Sequence, residues 1–315
     1  MVRFAKTGSD AGTAAIRAAR AITKRDNIAY WGGGGVWHDW FTVITSRNEG
    51  IPKSLAKMIQ KFEYNNIESL KILFEKWKGD VAAVYMEPMI TEFPKKNFLV
   101  DVKKLSKKYG AVLIFDEVIT GFNFSNLGDQ ELLKIQSDIA VFGKGIANGM
   151  PLAAITGKRK FMEKFNDIFY STTYGGEALS LAAGIAVINE MKTKPIIKYC
   201  WELGRKLINE FNKLSEIHGN YVKIEGLPVR SKIICKDEKG ELSISVKSLF
   251  YQEMVKRGIL LGPGYIFLSY SHTNLDIKKT LTAADESMKI VKTAIKSKNI
   301  NKFLEGKVMK SVMTF

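Results

Sequence analysis

The chain has 315 residues, of which 46% are hydrophobic, so it can form one large or two moderate domains and does not have the composition of a disordered protein. Its two cysteines and three scattered histidines exclude a disulfide framework and a zinc site, and they favour a reducing, cytoplasmic environment. The net charge of +16 could indicate nucleic-acid binding, but the lysines are dispersed along amphipathic segments without a nucleic-acid motif, which favours a lysine-rich solvated surface.

Strands and helices alternate over the first two thirds of the chain, a pattern typical of an α/β fold with a mostly parallel sheet between helices. The predicted strands of this part are 2–5, 28–31, 81–86, 111–115, 139–142 and 152–156. Its predicted helices are 11–23, two helix-like segments within 53–77, 101–109 and 177–191. No apolar run reaches the roughly 18 residues of a membrane span, and the N-terminus lacks the apolar core of a signal peptide.

The pattern changes near Pro195, which we interpret as the boundary between a large domain, 1–195, and a smaller α+β domain, 196–315. The smaller domain contains predicted helices at 197–214, 246–257 and 276–295 and predicted strands at 222–224, 232–235, 259–261 and 266–270. His272 belongs to this domain, away from the charged residues that end the strands of the large one. We therefore expect it to have a structural role.

Small residues, Gly8 and Ser9, precede the first predicted helix. Backbone N–H groups at the N-terminus of a helix attract anions, so this turn is a candidate phosphate site. The alternative is an ordinary helix cap formed by Ser9 or Asp10.

A run of four glycines, 32–35, follows the second predicted strand. A dinucleotide-binding fingerprint requires glycine at its first, third and sixth positions, where it opens a helix. The sixth position is Trp37 when counted from Gly32 and His38 when counted from Gly33. Both alignments fail, so this run does not indicate a dinucleotide site.

Charged residues follow three of the predicted strands, at Glu87, Asp116 and Lys144. Each could simply be a polar residue at the point where a buried strand leaves the core, and Glu87 could be a loop carboxylate bonded to the backbone. Ligands of open α/β sheets bind at the carboxyl ends of the strands, however, so these side chains can face one ligand. Glycines on both sides of Lys144 would allow the backbone to approach that ligand closely.

A lysine and a carboxylate that face one ligand suit the chemistry of pyridoxal phosphate. The lysine can form a Schiff base with the aldehyde of this cofactor, and the carboxylate can keep the pyridine nitrogen protonated. The runs LIFDEVITGF at 113–122 and FGKGIANGMPL at 142–152 carry these residues. With these runs, the chain resembles the class III aminotransferases, and most closely the glutamate-1-semialdehyde 2,1-aminomutase-like proteins, from Val2 to Phe315.

This resemblance implies a fold type I transferase with pyridoxal 5′-phosphate as its cofactor. It implies that Lys144 forms the Schiff base and carries the proton, and that Asp116 binds the pyridine nitrogen. The cofactor-binding residues that it implies are Gly8, Ser9, Asp116, Val118, Lys144 and Thr173. The substrates would be a small-molecule amino donor and acceptor, either an amino acid or an amino-aldehyde, and the choice between aminomutase and aminotransferase stays open.

The resemblance also implies a homodimer, because the family residue that matches Thr173 reaches the phosphate of the other subunit's cofactor. From the sequence alone, Thr173 could instead belong to a Ser/Thr-rich loop that caps the helix at 177–191. We expect neither a nucleic-acid partner nor a membrane partner.

Two departures from the family lead to an alternative. Gly34 and Gly35 stand where related sequences carry a Tyr that stacks on the cofactor ring and its neighbouring His, so this stacking is lost unless Trp37 replaces it. Related sequences also carry a substantial segment before the turn at Gly8, whereas Met1 lies only seven residues ahead of it. These features suggest a fragment, one part of a split enzyme, a misassigned start, or a non-catalytic remnant of the fold.

Overall fold

The computed structural model describes residues 1–32, 36–262 and 264–310. The chain divides into two compact units, Met1–Lys194 and a second unit that begins at Pro195. The expected loss of ring stacking at Gly34 and Gly35 concerns positions outside the described residues.

Seven strands of the first unit, within the described residues, form one sheet. The strands are β1 (Val2–Ala5), β2 (Asn27–Trp31), β3 (Ile59–Lys61), β4 (Val81–Met86), β5 (Val112–Glu117), β6 (Ile139–Phe142) and β7 (Ala153–Gly157). Their order across the sheet is β1-β7-β6-β5-β4-β2-β3. Strand β7 is antiparallel to both of its neighbours, β1 and β6, and the pairs from β6 to β3 are parallel. The prediction of a mostly parallel sheet is confirmed.

The first unit has helices on both faces of its sheet. They are α1 (Gly8–Thr23), α2 (Asp39–Thr42), α3 (Ile67–Lys76), α4 (Phe98–Tyr109), α5 (Asp129–Leu132), α6 (Arg159–Met162) and α7 (Ala178–Thr193). Helix α1 buries its alanines and Ile16 against one face, and α3 and α4 bury Leu70, Phe74 and Phe98 against the other. Short 3₁₀ helices lie at Lys53–Met58, Lys144–Ile146 and Glu163–Asn166.

Strand β5 shows how the sheet separates its two faces. Val112 and Ile114 pack in the core beneath α1, whereas Leu113 and Phe115 pack in the core beneath α3 and α4. Successive side chains of a strand point to opposite faces, and here both faces are apolar and buried. The strand continues through Glu117, two residues beyond the predicted end at Phe115.

The second unit combines helices with a two-stranded antiparallel sheet. Its elements are α8 (Ile196–Ile217), β8 (Val222–Leu227), β9 (Arg230–Cys235), α9 (Ile244–Lys256), α10 (Asn274–Lys296) and a 3₁₀ helix at Ile300–Phe303. The strands predicted at 259–261 and 266–270 are wrong: Ile266 makes one isolated bridge to Ser231. The sequence Gly262-Pro263-Gly264 separates these two apolar runs, and proline cannot donate a ladder hydrogen bond.

Over the described ranges, none of the helices combines the length and the apolar character needed to cross a membrane. The His, Cys, Asp and Glu side chains of the same ranges form no group of three or more that could hold a metal ion. Cys200 and Cys235 are buried free thiols.

Candidate active site

Helix α1 begins at Gly8, three residues earlier than predicted, and its cap is Thr7 rather than Ser9 or Asp10. The Thr7 hydroxyl accepts the N–H of Asp10 at 3.1 Å, and the Asp10 carboxylate accepts the N–H of Thr7 at 3.0 Å. This reciprocal capping box places Gly8 and Ser9 in the first turn of a 16-residue helix. Backbone N–H groups of a first turn lack partners within the helix, so they can bind an anion.

Four chain segments meet at one edge of the sheet: those that follow β1, β5 and β6, and the one that precedes the antiparallel β7. They enclose a cavity of about 260 Å³, close to the lower limit of small-molecule pockets, which is roughly 300 Å³. Gly8, Ser9, Val118 and Lys144 line it together with Lys6. The fold thus brings four of the predicted cofactor residues to one cavity.

Val118 forms the contact between the first turn of α1 and the segment that carries Lys144. A Cβ atom added to Gly8 would lie 2.7 Å from Val118 Cγ1, and one added to Gly143 would lie 3.2 Å from the same atom. The close approach explains why glycine occupies position 8. The side chain of Val118 therefore fixes how near the helix N-terminus comes to Lys144.

Lys144 has a backbone φ of +43°, in the left-handed region that residues with a side chain rarely adopt. It begins the 3₁₀ helix Lys144–Ile146, between Gly143 and Gly145, and its side chain is exposed at the cavity. Backbone conformations of this kind persist where the surrounding structure holds them, and they concentrate at functional sites.

Asp116 is buried next to Val118, which lines the cavity, and is not itself part of the lining. Its Oδ2 accepts the Tyr85 hydroxyl at 2.7 Å, and its Oδ1 accepts the N–H of Val118 at 3.1 Å. Burial, and then the charge of Glu87, raise the pKa of Asp116 to about 6, while these hydrogen bonds and the charge of Lys144 lower the pKa. Asp116 and Lys144 are thus close enough to interact electrostatically.

Tyr85 is a site residue that the sequence analysis missed. It lies in β4, where it pairs in register with Ile114 of β5, and it is fully buried under α1. A Cβ atom added to Gly12 of α1 would lie 2.8 Å from the Tyr85 hydroxyl oxygen, so glycine leaves room for this hydroxyl. The tyrosine was not recognised because its contact with Asp116 depends on the register of two strands distant in sequence.

Glu117, the neighbour of Asp116, points to the opposite face of the sheet. Its carboxylate accepts the N–H of Asp129 and, at 2.8 Å, the side-chain amide of Gln130. Burial raises the pKa of Glu117 to about 7. Only Asp116 of this acidic pair therefore contacts the cavity wall, through Val118.

Other predicted residues lie outside the cavity lining. Glu87 is buried directly after β4, where its N–H donates to the carbonyl of Trp31 at 3.2 Å. Thr173 is in an exposed turn before α7. Trp37 is 69% exposed, but its backbone N–H donates to Ser9 Oγ at 3.1 Å. His272, in the second unit, accepts the N–H of Ser269.

Comparison with known proteins places the chain in a family. Residues 1–296 match the model of the class III aminotransferases. A 3-aminobutyryl-CoA aminotransferase of Cloacimonas acidaminovorans (strain Evry) is 34% identical over 302 residues, which cover 93% of this chain and 72% of the relative. A glutamate-1-semialdehyde 2,1-aminomutase of Alkaliphilus oremlandii (strain OhILAs) is 33% identical over 318 residues, which cover 91% of this chain and 73% of the relative.

A solved structure supports the same assignment. The FumI protein of Sphingopyxis sp. MTA144, in its PLP internal aldimine form, superposes with a TM-score of 0.86 and 28% identity over 94% of this chain and 72% of that one. The prediction of a fold type I transferase is confirmed. The family and this neighbour indicate pyridoxal 5′-phosphate (PLP) as the cofactor. The chain therefore belongs to the class III aminotransferase family.

Proposed function

We propose that this chain uses PLP to transfer an amino group to or from a small amino acid or amino-aldehyde. The observation that carries the proposal is the cavity that Lys144 and Val118 line, with the buried Asp116 carboxylate bonded to the Val118 amide. When bound, the cofactor supplies an electron sink for the carbon that carries the transferred amine. The cavity, its amine and its buried carboxylate fit that group.

Asp116 would serve the pyridine nitrogen. Its pKa of about 6 leaves the carboxylate ionised at neutral pH, so it can stabilise a positive charge on a ring nitrogen above it. Tyr85 and Val118 occupy one oxygen each and hold the carboxylate in a fixed orientation. Each carboxylate oxygen has a second lone pair with which to accept another donor.

Lys144 would hold the cofactor covalently through its amine and afterwards move a proton at the substrate carbon as a general base and acid. Its position supports this role, because the left-handed backbone between two glycines places the amine at the cavity. Gly8 and Ser9 would bind the phosphate with the N–H groups of the first turn of α1. The Ser9 hydroxyl accepts the Trp37 amide and can still donate its own proton.

A homodimer is the proposed assembly. Helix α7 is apolar but leaves much of its surface exposed, including Leu179 and Ile185, which are 72% and 62% exposed. With Ala182 and Ala186 they form a stripe at helical spacing, which a second copy of the chain could cover. Thr173, in the turn that precedes this helix, would reach the phosphate in the partner's site.

A hybrid experiment tests the shared site. Lys144→Ala and Thr173→Val chains would each form defective homodimers, whereas a mixed dimer would contain one site with both residues intact. We expect that mixing the two inactive preparations restores part of the activity. Mixtures with no more activity than their components would contradict the role of Thr173. Light scattering measures the assembly state independently.

Absorbance spectroscopy tests the function. The purified chain with PLP should develop a visible band distinct from that of the free cofactor, and Lys144→Ala should abolish it. Lys160→Ala, which removes an exposed lysine of α6, is the matched control and should retain it. An amino donor should then bleach the band. A band that forms but does not react with amino donors would support the alternative of a non-catalytic remnant.

The substrate is a separate question. The two relatives described above act, by their names, on different molecules, and their identities to this chain are 34% and 33%. Conversion of glutamate-1-semialdehyde to an isomer that keeps the amine, without a second substrate, would indicate an aminomutase. Bleaching that requires an added keto acid to be reversed would indicate an aminotransferase.

A further inference from the structure

Lys6 connects three segments at the edge of the cavity. It follows β1, two residues before Gly8, and its side chain lines the cavity. Its Nζ lies 2.6 Å from Glu177 Oε1, 3.0 Å from the carbonyl oxygen of Pro151 and 3.4 Å from Ser180 Oγ. The segment with Pro151 follows Lys144, whereas Glu177 and Ser180 belong to the start of α7.

Glu177 is fixed from its other side as well. It is the N-cap of α7, where its carboxylate accepts the N–H groups of Leu179 at 2.8 Å and Ser180 at 3.0 Å. The hydrogen bond from Lys6, and then that from Ser180, lower the pKa of Glu177 to about 2, so the carboxylate stays ionised at neutral pH. Because the Lys6 and Glu177 side chains are only 17% and 28% exposed, solvent screens this pair less than a surface pair.

We propose that Lys6 is a positioning residue for the cofactor site: its ion pair with Glu177 and its bond to Pro151 hold the phosphate-binding turn against the Lys144 segment. The consequence for the cofactor rests on the function proposed above. We call the contacts of Lys6 with Glu177 and Pro151 the clamp, and these contacts are present in the chain without its cofactor. Only Thr7, the N-cap of α1, separates Lys6 from Gly8 and Ser9, so movement of Lys6 displaces the N–H groups of the first turn of α1.

A competing explanation assigns Lys6 a direct role, as a cation that attracts the phosphate. The two explanations predict opposite changes in PLP affinity when the Glu177 carboxylate is neutralised. A direct cation is neutralised by Glu177, so Glu177→Gln should strengthen PLP binding. A clamp needs both partners, so the same change should weaken PLP binding, although glutamine retains an oxygen that can cap α7.

The experiment measures the dissociation constant of PLP for the full chain by spectroscopic titration. We expect Lys6→Met and Glu177→Gln each to weaken binding roughly tenfold, about what the loss of a charge-assisted hydrogen bond produces. The double variant should bind no more weakly than either single one, and Lys6→Arg should retain part of the affinity. Lys158→Met is the matched control, since Lys158 forms an ion pair with Asp138 at 3.1 Å, and both residues lie outside the cavity lining.

Hydrogen exchange on the cofactor-free chain tests the clamp independently of PLP. In Lys6→Met, the Leu179 and Ser180 amides, which Glu177 caps, and the Asp10 amide, which bonds to Thr7, should exchange faster than in the wild type, and in Lys158→Met they should not. Unchanged exchange in Lys6→Met, or tighter PLP binding by Glu177→Gln, would overturn the proposal. A wild-type chain that does not bind PLP would refute the proposed function, while the exchange data would still decide the clamp.

Discussion

Replacement of Tyr85 by phenylalanine removes a single hydroxyl from the floor of the candidate site. That hydroxyl donates to Asp116 Oδ2 at 2.7 Å, and both residues are fully buried, so no solvent replaces it readily. A hydrogen bond to a charged group contributes about 1.5–3 kcal/mol, which corresponds to about 1–2 pKa units. Its loss should therefore raise the pKa of Asp116, already about 6, by that amount.

The raised pKa of Asp116 should change activity on the acidic side of neutral pH. A raised pKa means that Asp116 takes up its proton at a higher pH, and the neutral acid no longer stabilises a positive charge on the pyridine nitrogen. The acidic limb of the pH profile for the amino-donor half-reaction should therefore move upward by about 1–2 pH units in Tyr85→Phe. The basic limb should stay where it is in the wild type, because the change does not touch the groups that titrate there.

Single-turnover bleaching of the PLP band by an amino donor, measured between pH 5 and 9, provides the assay. Tyr64→Phe is the matched control: it also removes one hydroxyl, which donates to the carbonyl of Pro88 at 2.8 Å, but that hydroxyl does not contact Asp116. We expect its acidic limb to coincide with that of the wild type. An acidic limb in Tyr85→Phe that is unchanged, or that moves to lower pH, would refute the argument.

Two further predictions concern packing and pH. Gly8→Ala would place a methyl group 2.7 Å from Val118 Cγ1, so PLP affinity should fall at least about tenfold, and Val118→Ala in the same chain should restore part of it; titrations that show no rescue would contradict this contact. For Glu117 the folded-state pKa of about 7 exceeds the ordinary 4.5, so its contribution to stability is fully present below pH 4.5 and is lost as the pH rises through 7. This loss amounts to about 3 kcal/mol, and urea unfolding of Glu117→Gln should show a weaker decline over this pH range than the wild type.

The sequence predicted the residues that the fold gathers at one edge of the sheet. Asp116 lies near the end of β5, Val118 follows β5 and Lys144 follows β6, and the carboxyl ends of parallel strands meet at the same edge. Gly8 and Ser9 form the first turn of the helix that follows β1. Strand β7 runs antiparallel between β1 and β6, so the carboxyl end of β1 lies at the same edge as that of β6. The rule that ligands bind at the carboxyl ends of strands thus pointed to this edge for Asp116 and Lys144, whereas the choice of Val118 rested on the family resemblance.

Contacts that depend on strand register or on one helix-capping residue could not be predicted from the positions of the strand ends. Tyr85 contacts Asp116 because β4 and β5 align Tyr85 with Ile114, and nothing in the local pattern of either strand sets that alignment. The short strand β3 has only three residues, Ile59–Lys61, too few to show an alternating pattern. Lys6 resembled any surface lysine, since its partner Glu177 lies 171 residues away in the chain.

The two adjacent acids of β5 show why the strand pattern could not by itself assign the cofactor residue. A buried carboxylate is costly unless donors satisfy it, and the fold supplies separate donors on each face. Glu117 receives the Asp129 amide and Gln130, and a Cβ atom at Gly128, where φ is +81°, would collide with its carboxylate, so that loop is shaped around it. Asp116 instead shares its face with Ile114 and therefore lies beneath α1, the helix whose first turn carries Gly8. The position of α1 on one face of the sheet, rather than the acidity of either residue, decides which carboxylate can serve a ligand at that edge.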